Sequence, residues 1–245
     1  EQISALINYL SLGEDKLSEN QYQENIEDKL AILSMSSVTD PMQATKRDQN
    51  AFGVLDFLDV IENLKTTKRT GWLDNHVKEA ESIADHMHRM GIMSLLINDY
   101  NVQSTDEEPK LSTSRMVLIS ICHDIGESIV GDITPFGGVS NEDKFQLENR
   151  ALDKLKETIG DSRGDLIKEL WLEYEKGETP ESKIVKELDK FEMLVQAFEY
   201  ERREKKSLDS FFLTTNKNGI YFKSHRVRSW YDELNKRREE FFKSL

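Results

Sequence analysis

The chain has 245 residues, of which 37% are hydrophobic and 32% charged, and its formal net charge is −13. That length supports one domain with a full core, or one domain plus an extension, and the aromatic content excludes wholesale disorder. The acidic balance, with no dense Lys/Arg stripe to offset it, argues against binding of duplex nucleic acid. An anionic small substrate stays open, because a bound divalent cation inverts the local potential.

With only 12 Gly and 4 Pro, hairpin punctuation is scarce, and the natural expectation is an all-α fold. The single cysteine, Cys122, excludes an internal disulfide framework and points to a reducing compartment, expected to be the cytoplasm, with the nucleus also open. No apolar run approaches the roughly 20 residues of a membrane span, so no membrane contact is expected. The first residues show no basic segment followed by an apolar one, so no secretory signal is read there.

Residues 1–50 are polar, with weak helical patterns over 3–10 and 22–33 and a Ser/Thr/Asp/Pro stretch over 34–42. They are read as an N-terminal extension, partly helical or mobile, preceding a domain over 51–245. Val54, Leu55, Leu58, Ile61 and Leu64 recur at helical spacing over 51–64. Ser82 with Asp85 three residues on has the form of a capping box, although Glu79 offers an earlier start. The helix it opens has a buried stripe of Ile83, Met87, Met90, Met93 or Ser94, and Ile97, and His86 lies on that stripe.

A polar loop is expected over 101–112, then a nearly all-apolar central helix over 114–125 that ends near Gly126. A Gly-rich loop over 130–141 follows, then amphipathic helices over 142–159 and 165–176. Pro180 opens the next helix, to about Arg203. Its core face is Ile184, Leu188, Phe191, Val195 and Phe198, with Val185, Asp189, Glu192 and Gln196 as a polar seam beside it. Residues 207–245 read as a loop and a final aromatic-rich helix.

The most informative segment is Cys122-His123-Asp124-Ile125-Gly126-Glu127. Adjacent His and Asp side chains offer a divalent metal one nitrogen and one oxygen. A His-Asp pair by itself carries little, and a hydrogen-bonded core histidine is the ordinary alternative. The context adds weight, because a charged Asp between Ile121 and Ile125 is costly unless paired or metal-bound. His86 and Asp189 are further ligand-type side chains where packing prefers an aliphatic one. If the three segments meet, His86, His123, Asp124 and Asp189 form a metal site with positions left for water and substrate. Glu127 and Asp132 could then serve as base, acid or ligands to a second metal, or be no more than a helix-end Glu and a turn Asp. Arg69 suits a phosphate and Trp72 a stacked base or sugar. The plainer alternative is a surface Arg and a core Trp.

Taken together, Arg69 to Trp72, Glu81 to Met90, His123 to Ile133 and Leu188 to Met193 resemble the HD-domain 5'-deoxynucleotidases, in their eukaryotic branch and of fungal type, over about residues 50–235. The resemblance implies an HD-domain helical bundle with a metal site at its centre. It implies hydrolysis of deoxyribonucleoside 5'-monophosphates with Mn2+, Co2+ or Mg2+, and a homodimer. By motif position, His86, His123, Asp124 and Asp189 match the metal ligands and Glu127 the residue that activates water. Asp132 matches a residue near the sugar, and Arg69 and Trp72 match phosphate and nucleoside contacts. In the eukaryotic branch Glu127, Asp132 and the Ile133 backbone are implied to hold a second cation. The loop after Pro135 departs from the pattern. Competing readings are an HD-type phosphodiesterase, a nucleoside triphosphate hydrolase, and a non-catalytic nucleotide-binding or scaffold protein.

Overall fold

The computed structural model describes residues 46–97, 111–134, 138–216 and 221–245. Among the described residues there are eleven helices and no strand; Lys68 and Ser82 form an isolated antiparallel bridge. The all-α expectation is met. The extension expected over 1–50 lies outside the described residues up to 45, as do most of the loop expected over 101–112 and residues 135–137 of the Gly-rich loop.

Helix α1 is Lys46–Ile61 and α2 is Asn63–Thr66, so the single helix expected over 51–64 is two, joined at Glu62. Its stripe also differs from expectation. Val60 and Leu64 are buried, whereas Leu55 and Leu58 face solvent. The spacing alone cannot say which of two overlapping apolar faces meets the core. A short turn of helix, α3 (Thr70–Asp74), precedes α4 (Ile83–Ile97).

The start of α4 is the capping box read from the sequence, not the earlier Glu79. Ser82 Oγ accepts from the Asp85 amide at 3.1 Å, and the Asp85 carboxylate accepts from the Ser82 amide at 2.8 Å. Each chain end of the box satisfies a helix-terminal N–H that would otherwise be orphaned.

Helix α5 (Thr113–Cys122) ends earlier than expected. Residues 123–126 continue as tight turns into α6 (Glu127–Val130). It is also not buried all round, since Leu118 and Ile121 are exposed. Helix α7 (Asn141–Ile159) is capped by Ser140, and α8 (Asp161–Lys176) begins four residues before the expected position. Gly177, in the left-handed region at φ 59°, closes α8 without a Cβ clash. Helix α9 (Pro180–Glu204) has Thr179 as N-cap and Pro180 in its first turn, where the missing N–H is harmless. The stretch expected to be a loop contains α10 (Asp209–Asn216), and α11 (His225–Lys243) is the final helix.

Helix α4 packs closely on α5, and α9 lies across both. Helix α8 bridges α5 and α9 and pairs with α7, whose other side receives α1. Two apolar clusters result. One joins Met90, Met93, Met116, Ile119, Leu170, Leu188 and Leu194. The other joins Leu64, Ile83, Met87, Ile125, Leu147, Leu152 and Trp171. The same helices feed both: α4 gives Met87 to one and Met90 to the other, and α8 splits Trp171 and Leu170 in the same way. His86 stands beside that division, and the polar seam of α9 is turned inward towards it. Glu192, expected beside the core face, is wholly buried within it.

Candidate metal centre

Three helical segments bring His86, His123 and Asp189 together, with one ligand-type atom from each lying within 4.8 Å of the others. His86 comes from the first turns of α4, His123 from the turn that ends α5, and Asp189 from the third turn of α9. Both imidazoles are buried, and their Nε2 atoms have no hydrogen-bond partner. Asp189 Oδ1 lies 3.2 Å from His86 Nε2, and Asp124 Oδ2 lies 3.1 Å from His123 Nε2 and 3.8 Å from His86 Nε2. These contacts are close but not aligned as hydrogen bonds. Two buried ring nitrogens without an aligned partner, facing two carboxylates, form an arrangement that a divalent cation would complete. The residues therefore fit a metal of mixed nitrogen and oxygen preference.

Each candidate ligand is held from behind. His86 Nδ1 meets Glu192 Oε2 at 2.6 Å, and Arg89 Nε donates to Glu192 Oε1 at 2.7 Å. His123 Nδ1 meets the Ser120 carbonyl at 2.9 Å. Tyr174 donates its hydroxyl to Asp189 Oδ2 at 2.7 Å and lays its ring against His123, 4.8 Å between centroids. Outer partners of this kind fix tautomer and ring orientation. Glu192, Arg89 and Tyr174 did not stand out as site residues in the sequence. The available signal was the spacing of Asp189, Glu192 and Gln196, which places three polar groups on one buried stripe of α9.

Burial and the nearby Arg69 push the His86 imidazole down, but Glu192 and Asp189 outweigh them and hold it up at about 10. Burial opposes the charge on Asp124, yet His123, Arg69 and His86 keep its carboxyl well below the usual range. Asp189 is likewise held low against burial, chiefly by His86. Burial, with Asp124 and Asp132 beside it, pushes the Glu127 carboxyl up, while Lys144 pulls the other way.

Arg69 is only slightly exposed, and its Nη1 donates to Asp124 Oδ2 at 3.1 Å. It borders the metal candidates. Asp132 anchors the same segment: its carboxylate accepts from the Thr70 amide, and its backbone carbonyl accepts from the Thr70 hydroxyl at 2.8 Å. Glu127 is 2% exposed, and its Oε2 has no partner.

Trp72 is the exception. It is 2% exposed, packs against Tyr200 and Phe211, and gives its indole N–H to Glu81 at 2.9 Å. The ring is part of the core in this arrangement, the plainer of the two sequence readings, and it steadies the segment that carries Arg69. Burial and neighbouring Glu192 push the Glu81 carboxyl up to about 7.

A helical bundle centred on two histidines and two carboxylates defines a class of metal-binding domain, and sequence comparison agrees. The HD domain family model matches residues 61–224. The chain is 40% identical over 201 residues to 5'-deoxynucleotidase hdd1 of Schizosaccharomyces pombe, a match spanning 80% of this chain and 95% of that protein. It is 37% identical over 172 residues to 5'-deoxynucleotidase HDDC2 of Homo sapiens, spanning 70% of this chain and 78% of that one. The solved structure of the HD domain-containing protein YGK1 superposes with a TM-score of 0.58 at 31% identity, covering 90% of this chain and 98% of that chain. The chain belongs to the HD domain family. Membership implies a divalent metal, which the clustered His86, His123 and Asp189 accommodate.

Proposed function

We propose that this chain is a metal-dependent 5'-deoxynucleotidase, which hydrolyses deoxyribonucleoside 5'-monophosphates to deoxynucleoside and phosphate. The observation that carries the reading is a chain 40% identical to a 5'-deoxynucleotidase over nearly that protein's whole length. The two unpartnered imidazole nitrogens facing Asp124 and Asp189 support it from the structure.

In this reading His86, His123, Asp124 and Asp189 hold one divalent cation, with Mn2+, Co2+ or Mg2+ the candidates. The ion supplies Lewis acidity and eases deprotonation of water at neutral pH. Glu127 Oε2, buried and without a partner, is the atom that takes a proton from the attacking water. A new O–P bond forms, the bond between phosphorus and the 5'-oxygen breaks, and that oxygen leaves with a proton drawn from solvent, to which Glu127 returns its own. Arg69 neutralises charge that develops on the phosphoryl oxygens. It is tied to Asp124 before substrate arrives, so its guanidinium is already aimed at the centre. Asp132, fixed by Thr70, faces the sugar and accepts from its 3'-hydroxyl. Glu127, Asp132 and the Ile133 carbonyl are also the candidates for a second cation. Trp72 acts at one remove, by bracing the Arg69 segment rather than by stacking a base.

No helix among the described residues is long and apolar enough to cross a membrane, and we take the cytoplasm, with the nucleus, as the compartment. A homodimer is the proposed assembly.

The test is release of inorganic phosphate from dAMP, dGMP, dCMP and dTMP in the presence of each metal, with cyclic dinucleotides and nucleoside triphosphates as controls. Turnover of the monophosphates alone is expected. Asp124→Ala is expected to lose metal binding and turnover while keeping its helicity. A fully active Asp124→Ala protein would end this reading.

A further inference from the structure

The position between Glu127 and Ile133 already holds a cation, and it is part of the chain. Lys144, in the first turn of α7, places its Nζ 3.2 Å from the Ile133 carbonyl oxygen, 3.5 Å from Glu127 Oε1 and 3.4 Å from Glu148 Oε1. The Ile133 carbonyl accepts a hydrogen bond from the ammonium, and the two carboxylates lie within ion-pair distance of it. Asp132 and Asp124 also act on that charge. Glu148 is fixed in turn by the Trp171 indole N–H at 3.0 Å. Two of the atoms proposed above to receive a second divalent ion, the Glu127 carboxylate and the Ile133 carbonyl, are thus engaged by Lys144. The carboxylate of Asp132, the third candidate, already accepts the Thr70 amide. Glu127 Oε2, buried, has no partner, so the Glu127 carboxylate keeps one oxygen that Lys144 does not hold.

We propose that the Lys144 ammonium is a tethered occupant of the second cation position, so that a divalent ion binds there only when Lys144 swings out. An ammonium and a divalent ion cannot share the same few ångströms at a tolerable Coulomb energy. The geometry permits the exchange. The Lys144 side chain is about a third exposed, 35%, on a flexible four-carbon stem, whereas the Glu127 side chain is buried and stays in place. The consequence is two unequal sites. The one at His86, His123, Asp124 and Asp189 fills first, and the one at Glu127 fills at higher metal concentration because it must displace a charge. This inference rests on the metal reading of the first site, and the experiment keeps the two apart.

Metal-free full-length protein is titrated with Mn2+ and free ion is followed by electron paramagnetic resonance, giving the number of ions bound and the affinity of each step. The wild-type chain is expected to show one tight step and one weaker step. Lys144→Met should tighten the second step about tenfold or more and the first step far less, because Lys144 touches Glu127 and only acts at a distance on Asp124. Lys144→Gln, which keeps a donor for the Ile133 carbonyl, carries the same expectation and guards against loss of fold in the first variant, with circular dichroism as the check. Lys144→Arg retains the charge and should keep the second step weak. A second step that is unaltered in both neutral variants, or as tight as the first in the wild type, would overturn the proposal. Absence of any tight step in the wild type would instead overturn the metal reading of His86 and His123 on which it stands.

Discussion

His86 uses its two ring nitrogens for different tasks. Nδ1 is fastened to Glu192, which leaves Nε2 directed at Asp189 and Asp124. Glu192 is completely buried, and its charge is answered by Arg89 on one side and the imidazole on the other. A carboxylate in that position both sets the tautomer and raises the basicity of the ligand nitrogen. Replacing it with an amide keeps the volume and removes both effects. Glu192→Gln is therefore expected to weaken Mn2+ binding about 10- to 100-fold, measured by calorimetry, with helicity unchanged. Equal affinity in the variant and the wild type would remove Glu192 from the site. The neighbouring Cys122 behaves differently. Burial pushes its thiol up to about 11, so at pH 7 it is protonated and poorly nucleophilic. Iodoacetamide should label it slowly in the native protein and fully after denaturation. Rapid labelling at neutral pH would mean the turn after α5 opens readily.

The close approach of helices sets the next level. A Cβ at Gly53 would stand 2.0 Å from the Thr158 carbonyl oxygen at the end of α7. The neighbour is backbone and has little room to yield, so α1 and α7 must shift apart to accommodate a methyl. Gly53→Ala is expected to lower stability by about 1–3 kcal/mol, read as an earlier urea midpoint, with Mn2+ affinity little changed because α1 contributes no candidate ligand. An unchanged midpoint would show that α1 is not clamped there. Gly53 also marks the limit of what the sequence discloses. Local rules were legible: the Ser82–Asp85 box, the Thr179–Pro180 start and the His86 stripe of α4 all follow from spacing and capping chemistry. The gathering of His86, His123 and Asp189 was foreseeable as well, since each broke an apolar pattern on a different helix. What depended on how the elements pack together was not legible. The choice of Val60 and Leu64 over Leu55 and Leu58 is made by α7, on which α1 packs, and by α4 and α6, on which α2 packs, and Trp72 is claimed by Glu81 and Tyr200. Lys144 looked like one more surface cation at the start of α7, because its three oxygens come from α6, the following loop and α7 itself.

Seen as one body, the molecule encloses a cluster of acidic groups that a cation would relieve. Mn2+ that binds the native state and not the unfolded chain stabilises it by mass action, about 2.7 kcal/mol at a hundred times the dissociation constant. For a chain of this size that corresponds to a rise of about 5–10 °C in Tm, to be read by calorimetry before and after chelation. Asp124→Ala should show no such rise, and a wild-type protein whose Tm ignores the metal would contradict a structural coupling between site and bundle. The outer surface poses the opposite problem. Ile92, Leu95 and Leu96 of α4 and Leu118 and Ile121 of α5 are each between 38% and 59% exposed. Single exposed leucines are ordinary, but grouped ones on two closely packed helices form a face suited to another apolar surface. In the homodimer proposed above, this face would be the self-complementary contact, in which each substitution acts twice. Light scattering coupled to gel filtration should give twice the chain mass for the wild type. Leu96→Glu should give the chain mass, because two carboxylates would be brought into an apolar contact. A variant that still elutes at twice the chain mass would place the contact elsewhere on the bundle.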